Sequence, residues 1–269
     1  MRRTGRDYLR LLWLLARSGL RERMHYKANF LITLVLRTAL TMVDFLLVAV
    51  ILYRFKLIAG WDVYEVAVLY GPAAMAYGLF RMFADELERF ERYLVSGDFE
   101  GLLVRPWPTL LTLLGRRIDF SRLGAVAQGG VIMAIGASNL IGRGALTPLA
   151  ALYLAVVPAF GALILTALSL LTAAIGFWTI RIEELQVFVL YAPLTASYYP
   201  LSIYPGWLKA LLYTVIPVAF VNYLPVMYLL GKGAGPWTLV ASPAVAGLMM
   251  LIGYRAWLFG NRNYQGTGT

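Results

Sequence analysis

Residues 185–231 read LQVFVLYAPLTASYYPLSIYPGWLKALLYTVIPVAFVNYLPVMYLLG. Lys209 is the only ionic residue of this stretch, yet five prolines interrupt it, at positions 193, 200, 205, 217 and 225. Each proline removes a backbone donor and obstructs a continuous helix, so the freed carbonyl groups need partners from protein or from a water-filled cavity. The stretch is too apolar for a soluble loop and too interrupted for two plain membrane-spanning helices. We therefore expect it to border a passage through a membrane.

The whole chain is apolar enough to require a bilayer. Of its 269 residues, 60% are hydrophobic, which is more apolar surface than one soluble core can bury. The net charge of +10 lies mostly beside apolar stretches, which favours anionic lipid head groups over nucleic acid as the partner. The chain has no cysteine, and its single histidine, His25, cannot form a metal site alone. No metal ion is expected.

An all-α membrane protein with six membrane-spanning helices is predicted, because about 20 apolar residues are needed for each crossing. The predicted spans are residues 30–53, 63–84, 123–141, 148–178, 185–203 and 236–258. Residues 204–235 are predicted to form a re-entrant hairpin of two half-helices, 206–217 and 219–230, and a seventh full span is the alternative. No linker or repeat divides residues 1–269, so a single domain is expected.

The distribution of positive charge predicts the orientation. With six spans, both termini lie on the same side of the membrane. If that side is the cytoplasm, 18 Lys and Arg residues fall in cytoplasmic segments and five in external ones. This imbalance favours a multi-pass protein of a prokaryotic plasma membrane with both termini inside, including residues 259–269 as a cytoplasmic tail.

Residues 1–29 and 85–122 are the larger predicted cytoplasmic segments. In residues 1–29 a stripe of arginines runs along one helix face, which predicts an amphipathic helix lying in the membrane plane. Residues 85–94 are predicted to continue the second span. Their apolar face and i, i+4 charge pairs comprise Leu87, Phe90 and Leu94, with Asp85–Arg89 and Glu88–Arg92.

The middle of residues 85–122 is predicted to be a stiff loop. A polar turn at 96–101 carries one aromatic residue, Phe99, which we expect to be exposed, and Pro106 and Pro108 then stop any helix. A short mixed-charge loop with apolar side chains suits the docking of a cytoplasmic partner. A solvated loop with helix caps is the alternative.

The sequence contains neither an ATP-binding motif nor a catalytic motif. There is no G-x-x-x-x-G-K-[ST] loop, and no metalloprotease, hydrolase or dinucleotide-binding motif, so we expect no catalytic residue. Arg37 and Asp44 are charged residues inside the first predicted span, seven residues apart and so near one helix face. They form either a structural pair inside the bundle or a relay for ions.

Four stretches carry a resemblance to a known family. They are residues 198–208 (YYPLSIYPGWL), 215–225 (VIPVAFVNYLP), 97–106 (GDFEGLLVRP) and 264–268 (YQGTG). In these the chain resembles ABC-2 type exporter permeases, and within them the six-span "ABC-2 family transporter" proteins, some of which are associated with export of viologens and other drugs. The likeness covers essentially the whole chain but says nothing of its own substrate.

This resemblance implies a type-2 ABC exporter fold. Residues 1–29 would be the interfacial connecting helix, residues 85–122 would contain the coupling helix, and the hairpin would be extracellular. We call residues 85–122 the coupling segment. The family pattern implies two permease subunits, identical or paired with a sister permease, and two separate ATPase subunits. ATP and Mg²⁺ would belong to those ATPase subunits, so no cofactor is expected on this chain.

Two sets of residues are candidates for function. Coupling to the ATPase subunits is expected at Glu91, Arg92, Asp98, Phe99, Glu100 and Arg105. The substrate pathway is expected to be lined by Tyr191, Tyr198, Phe220, Asn222 and Tyr223. Aromatic faces attract flat or quaternary cations, although aromatic residues near a membrane interface also serve as anchors.

The expected function is ATP-driven export of a hydrophobic or amphipathic substrate. The alternative is a secondary transporter or channel driven by an ion gradient through Arg37 and Asp44, which would transport without nucleotide. An intramembrane enzyme acting on lipid is disfavoured, because no catalytic group is predicted on the outer side.

Overall fold

A computed structural model describes residues 59–264 and, before them, residues 31–36, 38–40, 42, 43, 46, 50 and 57. The predicted charge pair Arg37–Asp44, the amphipathic helix 1–29 and the end of the tail, residues 265–269, lie outside these residues. Part of the first predicted span is outside them too, although residues 31–36 and 38–40 are helical.

The described chain is all-helical. The first group of helices is α1 (Val63–Glu88), α2 (Phe90–Val95), α3 (Glu100–Leu103), α4 (Thr109–Gly115), α5 (Leu123–Gly142), α6 (Pro148–Leu154) and α7 (Val157–Thr179). The second group is α8 (Glu183–Gln186), a π-helical turn (Val187–Tyr191), α9 (Ala192–Ser197), α10 (Gly206–Thr214), α11 (Tyr223–Leu229) and α12 (Trp237–Arg262). Short 3₁₀ turns lie at Phe120–Arg122, Leu201–Ile203 and Val218–Phe220.

Within the described residues, four helical stretches are long and apolar enough to cross a membrane. They are Val63–Val95, Phe120–Gly142, Pro148–Thr179 and Trp237–Arg262. They correspond to the second, third, fourth and sixth predicted spans. Six spans are therefore not confirmed, and the side of the membrane on which each loop lies stays a prediction.

The fifth predicted span, residues 185–203, is shorter than expected. Its helical part runs from Glu183 to Ser197 and contains the π-helical turn. At 1.5 Å per residue this stretch is about 22 Å long, less than the ~30 Å of hydrocarbon in a bilayer. The helix ends before Pro200, because the residue before a proline is disfavoured in the α conformation.

Small residues set the packing of the long helices. A Cβ atom added to Gly129 of α5 would lie 2.8 Å from the carbonyl oxygen of Gly71 in α1, so the two backbones touch. In the same way Gly253 of α12 approaches the backbone of Ala167 in α7. Close contact of this kind is how membrane helices associate, since apolar side chains gain nothing by leaving lipid.

The proline-rich segment after α9 forms two short helices, α10 and α11, which a 3₁₀ turn separates. The first starts where the first half-helix was predicted. The second begins at Tyr223 rather than at residue 219, because the turn Val218–Phe220 follows Pro217. The re-entrant path of this hairpin in a membrane stays a prediction.

One side chain ties this hairpin to the helices around it. Asn222 is fully buried, and its Nδ2 donates hydrogen bonds to the carbonyl oxygens of Leu69 in α1, at 2.9 Å, and of Ser197 at the end of α9, at 2.8 Å. The carbonyl of Ser197 is one of the groups that a helix C-terminus leaves unpaired. Asn222 therefore joins α1, α9 and the start of α11.

Candidate functional site

The coupling segment is fastened to the helix bundle through Phe99. The side chain of Phe99 is fully buried, so the exposure predicted for it is wrong. Its ring packs against four others, which are Phe90 at 5.3 Å, Phe177 at 5.2 Å, Trp257 at 6.2 Å and Tyr264 at 5.0 Å between ring centroids. We call these five residues the aromatic cluster.

The aromatic cluster joins distant parts of the chain. Phe90 belongs to α2, Phe177 to the end of α7, and Trp257 to the end of α12. Burial raises the pKa of the Tyr264 hydroxyl, and the negative charge of Glu100 raises it further. Through these ring contacts the loop 96–101 is anchored to two long helices, α7 and α12, besides the one that leads into it.

The apolar face predicted before this loop is confirmed. Leu87, Phe90 and Leu94 are all buried. The helix also extends beyond the predicted span end at residue 84, as far as Glu88, and resumes at Phe90. Pro106 and Pro108 lie between α3 and α4, as predicted for residues that stop a helix.

Only one of the two predicted i, i+4 charge pairs is formed. Arg89 Nη2 lies 2.8 Å from Asp85 Oδ2, which confirms that pair. Glu88 instead pairs with Arg81, whose Nη2 lies 2.8 Å from Glu88 Oε2, so the prediction of Glu88–Arg92 is wrong. Arg92 lies closest to Glu86, with 3.7 Å between Nη2 and Oε2.

Asp85 is the centre of a buried charge cluster. It is fully buried, and Arg81 reaches its Oδ1 at 2.9 Å while Arg122, which precedes α5, approaches the same oxygen at 3.8 Å. Buried ions are tolerated only when several partners compensate for lost hydration, so removing one partner is costly. The cluster joins the end of α1 to the beginning of α5.

The remaining side chains of the loop form an exposed surface. Its members, which we call the docking surface, are Val95, Asp98, Glu100, Leu103, Val104 and Arg105. Val104 is 85% exposed and Val95 61%, so apolar side chains stand beside both signs of charge. The apolar contacts predicted for a partner are thus offered by these aliphatic residues and not by Phe99.

Glu91 and Arg92 border a cleft, which Val95 of the docking surface also lines, and a coupling role for both stays a prediction. The cleft has a volume of about 480 Å³. Its lining comprises Arg81, Glu88, Arg89, Glu91, Arg92 and Val95 from α1 and α2, with Glu183, Gln186, Val187 and Tyr191 facing them. The structure therefore places Tyr191, a predicted pathway residue, in the same cleft as two predicted coupling residues.

The other predicted pathway residues lie apart from this cleft. Tyr198 is half-buried and packs against Tyr70 at 4.9 Å between ring centroids. Tyr223 is buried and stacks on Trp61 at 5.9 Å. Phe220 is half-buried, whereas the side-chain amide of Asn222 already donates hydrogen bonds to two backbone carbonyl groups. A pathway role for these residues stays a prediction.

Several participants in this region were not predicted from the sequence. Arg122 and Asp119 join the charge cluster from the far end of the coupling segment, and Trp257 completes the aromatic cluster. The residue types of Arg122, Asp119 and Trp257 were the only signal in the sequence. That signal is weak, because tryptophan and charged residues are common at helix ends. Their partners become visible once the long helices are packed together.

These features define an all-helical membrane protein with an exposed loop whose aromatic residue, Phe99, is buried in the helix bundle. The chain belongs to the ABC-2 family transporter proteins, since residues 38–268 match that family. It is thus a membrane transport component of an ABC transporter, associated with ABC ATPase subunits and not itself the ATPase. No curated protein matches the chain.

Proposed function

We propose that the chain is the transmembrane permease subunit of an ATP-driven exporter, which moves a hydrophobic or amphipathic substrate out of the cell. Two such subunits, identical or paired with a sister permease, form the pathway. Two separate ATPase subunits bind ATP and Mg²⁺ on the cytoplasmic side of a prokaryotic plasma membrane. Both termini of the chain lie on that side.

The docking surface is the observation that supports this proposal. Val95, Leu103 and Val104 are exposed, and a stable partner surface usually has apolar residues at its centre with charges at its rim. Asp98, Glu100 and Arg105 supply such a rim. The chain also lacks an ATP-binding loop of its own, so a separate protein must provide one.

ATP binding to the closed ATPase pair supplies the drive in this proposal, because a ligand shifts a conformational equilibrium by its difference in affinity between two states. The movement enters at the docking surface and passes through the buried Phe99 to α7 and α12. The partly exposed aromatic residues Tyr191, Tyr198 and Phe220 line the pathway, where their faces suit flat or cationic substrates.

Two substitutions on the docking surface test the proposal. Arg105→Ala removes a rim charge, and Val104→Asp places a charge in the apolar centre. Both are exposed positions, so the fold should remain intact, with a change in stability within about 0.5 kcal/mol. We expect Val104→Asp to abolish copurification with the ATPase subunit and Arg105→Ala to lower the transport achieved per ATP hydrolysed.

Lys209→Ala is the matched control, because it removes a positive charge from the hairpin that is predicted to face outside. It should leave copurification unchanged. Normal ATPase binding and normal coupling in both docking variants would refute the proposed surface. Substrate transport by the purified chain alone, without nucleotide, would refute the ATP-driven mechanism and favour the ion-coupled alternative.

A further inference from the structure

The carboxylate of Glu91 forms hydrogen bonds within the molecule. Its Oε2 accepts hydrogen bonds from the backbone N–H groups of Ile182, at 2.7 Å, and Glu183, at 3.0 Å. These donors lie at the start of the helical stretch that begins with α8, where N–H groups have no partner within the helix. A negative charge at this position also complements the helix dipole. Glu91 therefore binds the coupling segment to the beginning of the fifth predicted span.

The turn just before this contact is strained. Ile180 has a positive φ of 64° with ψ of −51°, and the N–H of Arg181 donates to the carbonyl of Thr179 at 2.7 Å. These angles describe a γ-turn, which is rare, and a β-branched residue at positive φ is an outlier. Such a conformation persists only where its surroundings impose it.

Both sides of the strained turn are fixed. Before it, Gly176 allows close approach, since a Cβ atom there would lie 3.0 Å from Ile182 Cγ2 and 3.2 Å from Leu94 Cδ1. After it, Ile182 is fully buried and its N–H is held by Glu91. The position of α8 is thus set by contacts with α2 rather than by the preference of its own backbone.

The stretch that follows contacts the helix bundle on one side, with Leu190 fully buried and Tyr191 beside Glu88 of α1, and borders the cleft on the other. Gln186 Nε2 donates to the carbonyl of Leu87 at 3.3 Å, and the cleft of about 480 Å³ separates much of the rest from α1 and α2. The stretch continues into the π-helical turn Val187–Tyr191, and such turns are frequent at functional sites. The bonds of Glu91 therefore give a displacement of α2 a route to residues 183–191, beside the contact of Tyr191 with Glu88 in α1.

We infer that Glu91 is a positioning residue, which transmits displacement of the coupling segment to residues 183–191 through its bonds to the N–H groups of Ile182 and Glu183. It does not serve as a contact with the ATPase subunit. The inference rests on the proposed function, since that displacement is the one that ATP binding produces. It adds α8 and the π-helical turn to the elements that respond to nucleotide.

Hydrogen–deuterium exchange on the full chain tests this role. The chain, bound to its copurified ATPase subunit in lipid nanodiscs, is compared with and without Mg·ATP. In the wild type we expect nucleotide to change exchange in residues 95–104 and in residues 183–191. In Glu91→Ala the response of residues 95–104 should remain and that of residues 183–191 should be lost. Exchange of the Ile182 and Glu183 amides without nucleotide should rise at least about 10-fold.

Two further variants separate transmission from simple destabilisation. Glu91→Gln keeps an acceptor oxygen and should retain part of the nucleotide response in residues 183–191. Glu184→Ala removes an exposed carboxylate from the same turn and should behave as the wild type. A loss of response that is equal in Glu184→Ala and Glu91→Ala would overturn the inference.

The remaining outcomes are equally decisive. An unchanged response of residues 183–191 in Glu91→Ala would show that motion reaches them by another route. Loss of ATPase binding in Glu91→Ala would show that Glu91 is a docking contact after all. If the wild-type chain binds no ATPase subunit, the proposed function itself is wrong. The inference about Glu91 then loses its basis as well.

Discussion

Replacing Phe99 with alanine should destabilise the protein, although this residue lies in a loop. The side chain is fully buried, so its burial contributes about 1.5–3 kcal/mol. Its four ring contacts contribute about 0.5 kcal/mol each at the lower end of measured values. These contributions agree with the cost of about 3–5 kcal/mol that is usual for Phe→Ala in a core.

Thermal unfolding of the purified chain in nanodiscs measures this effect. We expect the apparent Tm of Phe99→Ala to fall by on the order of 10 °C. Phe99→Leu keeps most of the apolar volume and loses the ring contacts, so its Tm should fall by about half as much. Val104→Ala is the control from the same loop, and its 85% exposed side chain should cost less than about 0.5 kcal/mol.

The result that would refute this reasoning is a melting temperature of Phe99→Ala equal to that of Val104→Ala. The loop would then be stable without the aromatic cluster. A second consequence concerns interpretation, since a loss of transport in Phe99→Ala cannot be assigned to coupling unless the variant is shown to be folded. Arg105→Ala, at an exposed position, is the cleaner test of coupling.

Two further substitutions probe the helix packing, each measured by thermal unfolding. Gly129→Leu should destabilise the protein by at least about 1–3 kcal/mol, because its side chain would meet α1. Gly142→Leu, at the end of the same helix, meets nothing within 4 Å and should leave the stability unchanged. Equal effects of the two substitutions would contradict the close packing of α1 and α5. Asn222→Ala should cost about 2–4 kcal/mol, because two buried carbonyl groups lose their donor. Asn263→Ala, which loses one exposed bond, is its control, and an equal loss of stability in both would contradict the joining role of Asn222.

The long helices could be predicted from the sequence because their signal is local. About 20 consecutive apolar residues identify a membrane-spanning helix without knowledge of its neighbours, and four of the six predicted spans have such helices in the structure. The ends of the loop helices were also predictable, since Pro106 and Pro108 act on the residues next to them.

Contacts between distant residues could not be predicted in this way. The donors that Glu91 binds lie 91 and 92 residues further along the chain, and Phe99 is covered by rings from α7 and α12. Without those partners, a polar turn around one aromatic residue indicates exposure. Glu88 was assigned to Arg92 by helix spacing, but the guanidinium of Arg81, seven residues earlier, pairs with it instead.

The way Phe99 is held has a practical consequence for anyone who exchanges parts between related permeases. A loop transplanted to alter which ATPase is recruited brings a ring that needs a matching recess, formed by Phe177, Trp257 and Tyr264 in this chain. A recipient with smaller residues at those places would receive the new recognition sequence on a poorly seated loop. The loop should therefore be transferred together with the residues of its recess. Loop and recess come from three separate regions of the sequence.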